Sequence, residues 1–113
     1  MIIPVVGVTF INEETGINRQ DIIKKLSGRE QIFLKREPEN EHDSNAIAVF
    51  LKGKNPKRIG YINRELAVGL ARLWKKYSFP IAISEIRQGD KAFGKNWGIS
   101  IEMKKIKRKT KRR

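Results

Sequence analysis

The chain has 113 residues, no cysteine and a formal net charge of +13, from 25 Lys and Arg against 12 Asp and Glu. That length holds one buried core. The missing cysteine excludes disulfides and thiolate metal sites, fits a reducing, cytoplasmic setting, and the charge favours polyanionic partners. The charge is uneven: Lys104–Arg113 holds eight cations and no acid, so the first 103 residues carry 17 cations against 12 acids, or +5. We therefore expect a folded domain over 1–103 and a disordered basic tail over 104–113 that binds phosphates without sequence preference. The apolar start, Met1–Gly7, is broken by Pro4 and reads as a strand rather than a signal peptide or anchor. Nowhere does a run approach the ~20 apolar residues of a membrane span, and only Ile106 and Thr110 interrupt the early tail charges, so no membrane partner is expected.

In chain order, Ile3 to Phe10 alternates, with Val6, Val8 and Phe10 on one face, and predicts a first strand bent at Gly7. Asn12–Gly16 reads as a polar loop. Asn18 then caps a short helix with Ile22, Ile23 and Leu26 on one face, ended at Ser27–Gly28 and expected to cover one opening of a barrel. Gln31–Arg36 and Ala46–Leu51 are nearly continuous apolar strands on either side of a polar loop. Lys52–Lys57 has turn composition, and Arg58–Ile62 predicts a fourth strand. A main helix starts at Asn63, with Leu66, Leu70, Leu73, Trp74 and Tyr77 at helical spacing. Ile81, Ile83 and Ile86 predict a fifth strand with a slip near Glu85, and Trp97, Ile99, Ile101 and Met103 a sixth by strict alternation. Five or six strands with two helices fit a mainly β fold, a small closed or partly open barrel.

The loop between the second and third strands is the most informative stretch. Glu37–Pro38 disfavours helix, and Asp43–Ser44–Asn45 has the Asx-turn composition in which short side chains hold a backbone bend. Its pattern, Leu34-x-Arg36-Glu37-Pro38-x-Asn40-x-x-Asp43-x-Asn45-Ala46-Ile47-x-Val49, followed by Ile59-Gly60-Tyr61-Ile62-x-Arg64-Glu65-Leu66-Ala67, resembles the HIRAN domain, and the likeness extends loosely from Val5 to Met103. The resemblance implies a six-stranded barrel of OB-like or SH3-like character that binds single-stranded DNA, captures its 3′-hydroxyl end, and serves DNA repair or replication.

Carried over residue by residue, the resemblance gives Asp43 the terminal 3′-hydroxyl and Asn40 the shaping of its pocket. His42 stands where relatives often have Tyr, and Tyr61 at an aromatic strand position. Arg64, at the helix start, suits a phosphate. Arg36 either holds another phosphate or pairs with Glu37 or Asp43. Relatives known for end capture have an Arg-Tyr-type pair where Thr9–Phe10 stand here, so Phe10 can stack on a base or belong to the core, while the cation is missing at Thr9. Phe93, between Lys91 and Lys95, is a further stacking candidate, and Lys104, Lys105, Lys107 and Arg108 begin the phosphate-binding tail.

Catalysis finds little support. Consecutive His42–Asp43–Ser44 cannot converge as a triad, and Gly53–Gly60 lacks the Gly-Lys-Ser/Thr ending of a phosphate loop. The alternating acids Glu37, Glu39, Glu41 and Asp43 could hold magnesium for a nuclease, but read more simply as a solvated loop. The expectation is a module that is not an enzyme, with no cofactor or metal. The alternatives are an RNA-binding module dominated by its tail, or a protein-interaction module that recruits a helicase or nuclease.

Overall fold

A computed structural model describes residues 1–109 of the chain. It is mainly β with two helices, in the order β1 (Ile2–Pro4), β2 (Ile11–Asn12), β3 (Ile17–Asn18), α1 (Arg19–Lys24), β4 (Ile32–Arg36), β5 (Ile47–Leu51), β6 (Lys57–Tyr61), α2 (Arg64–Leu73), β7 (Tyr77–Ser78), β8 (Ile81–Arg87), β9 (Gly98–Met103) and β10 (Ile106–Lys107). Two antiparallel three-stranded sheets, β1-β9-β8 and β4-β5-β6, carry the architecture, with small ribbons β2-β3 and β7-β10 at their margins.

The expected six-stranded barrel is corrected on two points. Ten strands are present among the described residues, and no sheet closes on itself. Val5 and Val6 join the two sheets on one side: Val5 N–H donates to Ile99 O at 2.9 Å, and Val6 exchanges hydrogen bonds of 2.9 and 2.8 Å with Tyr61. On the other side β4 and β8 pack beside each other without being hydrogen-bonded neighbours, and a groove lined by Phe33, Ile81 and Ile83 runs there. Alternation reports which side chains are inward, and inward residues look alike in a closed barrel and in two facing sheets. The core they enclose centres on Ile23, Ile47, Val49, Ile59, Ile99 and Ile101, each fully buried.

The expected first strand is also broken. Gly7 takes a φ of +69°, the chain turns through Val8–Phe10, and β2 and β3 form a ribbon where a plain loop was expected. Tyr77, expected on the main helix, instead opens β7, because α2 ends at Leu73 and the chain turns before pairing with β10. Other boundaries agree closely. Asn18 and Asn63 cap α1 and α2, their side chains accepting from Gln20 N–H and Leu66 N–H at 2.9 Å. The slip in the fifth strand lies between Ile83 and Glu85, the register shift of β8 on β9. Trp74 packs on the core against Phe79, ring centroids 5.7 Å apart, and Trp97 is half-buried against the same core.

The basic tail needs correcting over its first residues. Ile106–Lys107 pairs with Tyr77–Ser78, Arg108 N–H donates to Lys76 O at 2.8 Å, and the Arg108 side chain donates from Nε to the carbonyls of Trp74 and Tyr77, both at 3.0 Å. Carbonyls at the end of a helix lack partners and sit at its negative pole, so a guanidinium is well placed there. Residues 110–113 of that tail lie outside the described residues.

Candidate nucleic-acid interface

The polar loop between β4 and β5 is built from its own side chains. Asn40 Oδ1 accepts from His42 N–H at 2.9 Å and Asp43 N–H at 3.2 Å, and Asp43 Oδ1 accepts from Asn45 N–H at 2.9 Å. Glu37 N–H to Ala46 O, at 2.9 Å, closes the base of the loop. Asp43 thus uses one oxygen to hold its turn, while Oδ2 stands 3.7 Å from Arg64 Nε at the start of α2.

The loop forms one wall of a cleft of about 770 Å³. Phe10, Asn40, His42, Asp43, Tyr61 and Arg64, six of the residues expected from the sequence, line it together. Phe10 is 64 % exposed, which settles its choice between core and surface. The other expected residues lie elsewhere. Strand parity puts Arg36 on the face of Ile32 and Leu34, away from Glu37. Neither expected partner is open to it, since Glu37 is taken by Arg58 and Asp43 stands beside Arg64. Phe93, 86 % exposed, sits on a 3-10 turn (Lys91–Phe93) between β8 and β9, outside the cleft lining. Lys104, Lys105, Lys107 and Arg108 are exposed beside the end of α2.

The structure adds a network that sequence reasoning missed. Glu37 is its hub: Arg58 Nη2 donates to Glu37 Oε2 at 2.6 Å, Tyr61 O–H to Oε1 at 2.6 Å, and Asn40 Nδ2 to Oε1 at 3.2 Å. Arg58 also pairs with Glu14. Behind them the Arg19 side chain is buried, donating from Nε to Asn12 Oδ1 at 2.8 Å and from Nη1 to Gly7 O at 2.7 Å. Its guanidinium lies 5.4 Å from the Tyr61 ring centroid and 5.9 Å from that of Phe10. A cation from α1 therefore stands beside Phe10, buried and held by Asn12 and Gly7. A signal for it existed: Arg19 directly follows the cap Asn18, and a cation in the first turn of a helix opposes the helix dipole, so another partner must hold it.

Burial works to raise the Glu37 pKa, but the hydrogen bonds from Tyr61, Arg58 and Asn40 outweigh it and hold the carboxyl below its ordinary value. Burial, and then the bond to Glu37, push the Tyr61 hydroxyl up to about 12 from 10.0. Burial lowers Arg19, whereas the hydrogen bond to Glu37 leaves Arg58 raised despite burial.

These shifts set two pH windows. Glu37 is depressed in the fold, so its stabilisation is present above the unfolded value of 4.5 and is lost as pH falls through its folded pKa. Tyr61 is raised, so its stabilisation is full below the unfolded value of 10.0 and is lost as pH rises from there toward about 12. Thermal midpoints measured against pH are expected to fall in both windows, and Tyr61→Phe to flatten the alkaline one. An equal alkaline slope in Tyr61→Phe would remove Tyr61 as its source.

Six carboxylates (Glu13, Glu14, Glu37, Glu39, Glu41 and Asp43) and three guanidinium groups (Arg19, Arg58 and Arg64) line the cleft. In a chain of net charge +13 this is a locally acidic site with an aromatic wall. Among the described residues, no three His, Asp or Glu side chains stand close enough to hold a metal ion. Among them also, no helix is long and apolar enough to cross a membrane.

The structure is similar to the crystal structure of the HIRAN domain of human HLTF, with a TM-score of 0.58 and 20 % identity over 91 % of this chain and 73 % of that one. It is equally similar to a crystal structure of a protein from Lactobacillus plantarum, with a TM-score of 0.58 and 19 % identity over 90 % of each chain. No curated protein matches the sequence. The profile of the HIRAN domain matches residues 2–103, nearly the whole described chain, and the protein belongs to the HIRAN domain family of nucleic-acid-binding modules.

Proposed function

We propose that the cleft binds the 3′-terminal nucleotide of single-stranded DNA and reads its hydroxyl with Asp43, without catalysing a reaction. The observation that carries this is the placement of Asp43 at the wall of an acid-lined cleft, beside exposed Phe10 and half-buried Tyr61. A ring face suits a base, and a carboxylate accepts a hydrogen bond from a hydroxyl. The same carboxylate, with Glu13, Glu39 and Glu41 around it, repels a phosphate. Such a cleft favours a strand that ends in it over one that passes through. His42, exposed on the loop, adds a second ring at the rim, and Arg64 meets the first phosphate inward from the end. A role inside the cell in repair or fork handling, beside a helicase or nuclease that supplies the chemistry, fits a module of this kind.

The test is fluorescence anisotropy with one DNA strand ending either in 3′-hydroxyl or in 3′-phosphate, and an RNA strand of the same sequence. The phosphate is expected to weaken binding at least ~10-fold, equivalent to about 1.4 kcal/mol. Asp43→Asn is expected to narrow that ratio toward one, because the amide removes the charge that rejects phosphate. Equal affinity for the two ends would sink the proposal. Tighter binding of RNA, indifferent to Asp43→Asn, would point instead to the RNA-binding alternative.

A further inference from the structure

If an end is held in an acid-lined cleft, the rest of the strand must leave it past groups that tolerate phosphate. Two of the three cleft cations cannot guide it. Arg19 is buried against Asn12 and Gly7, and the Arg58 side chain, 17 % exposed, is held by Glu37 and Glu14. Arg64 differs. Its side chain is 77 % exposed, and it occupies the first position of α2.

From Arg64 the surface becomes basic in one direction. Arg72 lies two turns further on, also exposed; at 100° per residue it falls about 80° from Arg64, both away from the buried Ala67 and Leu70. Exposed Lys75 and Lys76 follow in the turn after α2. The β7-β10 ribbon then fixes Lys104–Lys109 beside that turn, with Lys105 Nζ 4.4 Å from the Tyr77 ring centroid. Four cations on α2 and its following turn, and five on Lys104–Lys109, face one carboxylate in these segments, Glu65. Apart from Arg64, none of the nine takes part in a salt bridge among the described residues.

We infer that the single strand whose 3′ end occupies the cleft runs its phosphates along the exposed side of α2, from Arg64 past Arg72 to the Lys75–Lys76 turn and β10. The inference rests on the end-binding reading of the cleft and adds the route and footprint of the strand. The ten residues of α2 span about 15 Å, or roughly four or five nucleotides at ~3.4 Å each for a stacked strand. The bound footprint is then about five to eight nucleotides. Folding the basic segment back as β10 gives it a defined place on this path, where a free tail would meet phosphates at no fixed distance from the end.

The test uses the full chain and unlabelled oligo-thymidylates of about 2, 4, 8 and 12 nucleotides as competitors for a labelled strand. Affinity is expected to climb at least ~10-fold between the shortest and the eight-nucleotide strand and then level. Lys75→Glu with Lys76→Glu should remove most of that climb and reduce the salt slope by roughly 0.7 for each phosphate no longer neutralised. The affinity of the shortest strand and the ratio of 3′-hydroxyl to 3′-phosphate binding should not change. Both lysines are exposed and outside the core, and an unchanged thermal midpoint verifies folding. Affinity independent of length, or a climb indifferent to the two reversals, would overturn the path while leaving end recognition standing. A lysine-dependent climb with no preference for the 3′-hydroxyl would overturn the cleft reading, and with it a path anchored at Arg64.

Discussion

Gly60→Ala is expected to lower the thermal midpoint by roughly 15 °C, a loss of about 3 kcal/mol in a domain of this size. The reason is a close approach at the junction between the two sheets. A Cβ at Gly60 would stand 2.5 Å from the Val6 carbonyl oxygen, 2.7 Å from Val5 Cγ1 and 3.3 Å from Val8 Cγ1. The first of these is backbone and cannot move aside without parting Val6 from Tyr61, whose paired hydrogen bonds link β6 to the N-terminal segment. Each of those bonds, if broken, adds about 1 kcal/mol to the overpacking. Because Val6 and Tyr61 also line the cleft, binding of DNA ends should fall with stability. Gly69→Ala is the control. Gly69 lies within α2, is exposed and has nothing within 4 Å of a new Cβ, so alanine there should stabilise by about 0.5–1 kcal/mol. Circular dichroism melts of the two variants give opposite signs if the packing at Gly60 is as described.

Glu37→Ala is expected to cost about 2–3 kcal/mol, more than an ordinary surface ion pair. The Glu37 and Arg58 side chains are only 14 % and 17 % exposed, so the change leaves a largely buried guanidinium with Glu14 as its remaining acid partner. It also removes the acceptor of the Tyr61 hydroxyl and of Asn40 Nδ2. Since Asn40 holds the backbone of His42 and Asp43, the loop should loosen as well as the domain. Urea unfolding measures the first effect, and amide hydrogen exchange at His42 and Asp43 the second. Tyr61→Phe, which removes only one hydrogen bond of the network, should cost about 1 kcal/mol. Equal stability of Glu37→Ala and the parent protein would show that the hub contributes nothing to the fold.

Much of this was legible in the sequence because the informative residues act locally. Asn18 and Asn63 announce the two helices, Asn40 and Asp43 hold a turn spanning a few positions, and the slip near Glu85 shows as a change of parity between Ile83 and Ile86. Four of the six cleft residues, Asn40, Asp43, Tyr61 and Arg64, stand in the family pattern itself, whereas Phe10 and His42 stand where relatives carry other residues. What was not legible depends on long-range pairing. Whether β4 and β8 would bond edge to edge is not written in the alternation of either strand. Two of the three side-chain partners of Glu37, Arg58 and Tyr61, are 21 and 24 residues away, and Arg19 meets Gly7 and Asn12 through the bend that breaks the first strand. The tail misled for a different reason: its charge is that of a disordered end, but two residues, Ile106 and Lys107, suffice to pair with Tyr77–Ser78 once α2 has set that edge in place.

The most direct test of the end-binding cleft is a nitrogen–proton correlation spectrum of the labelled protein titrated with a short DNA strand ending in 3′-hydroxyl. The largest shifts are expected at the amides of His42, Asp43, Tyr61 and Arg64 and in the segment carrying Phe10, with smaller ones along α2 toward Lys75 and Lys76. Shifts confined to Lys104–Lys109, with the loop silent, would contradict end binding and leave a basic surface that holds nucleic acid without reading its end.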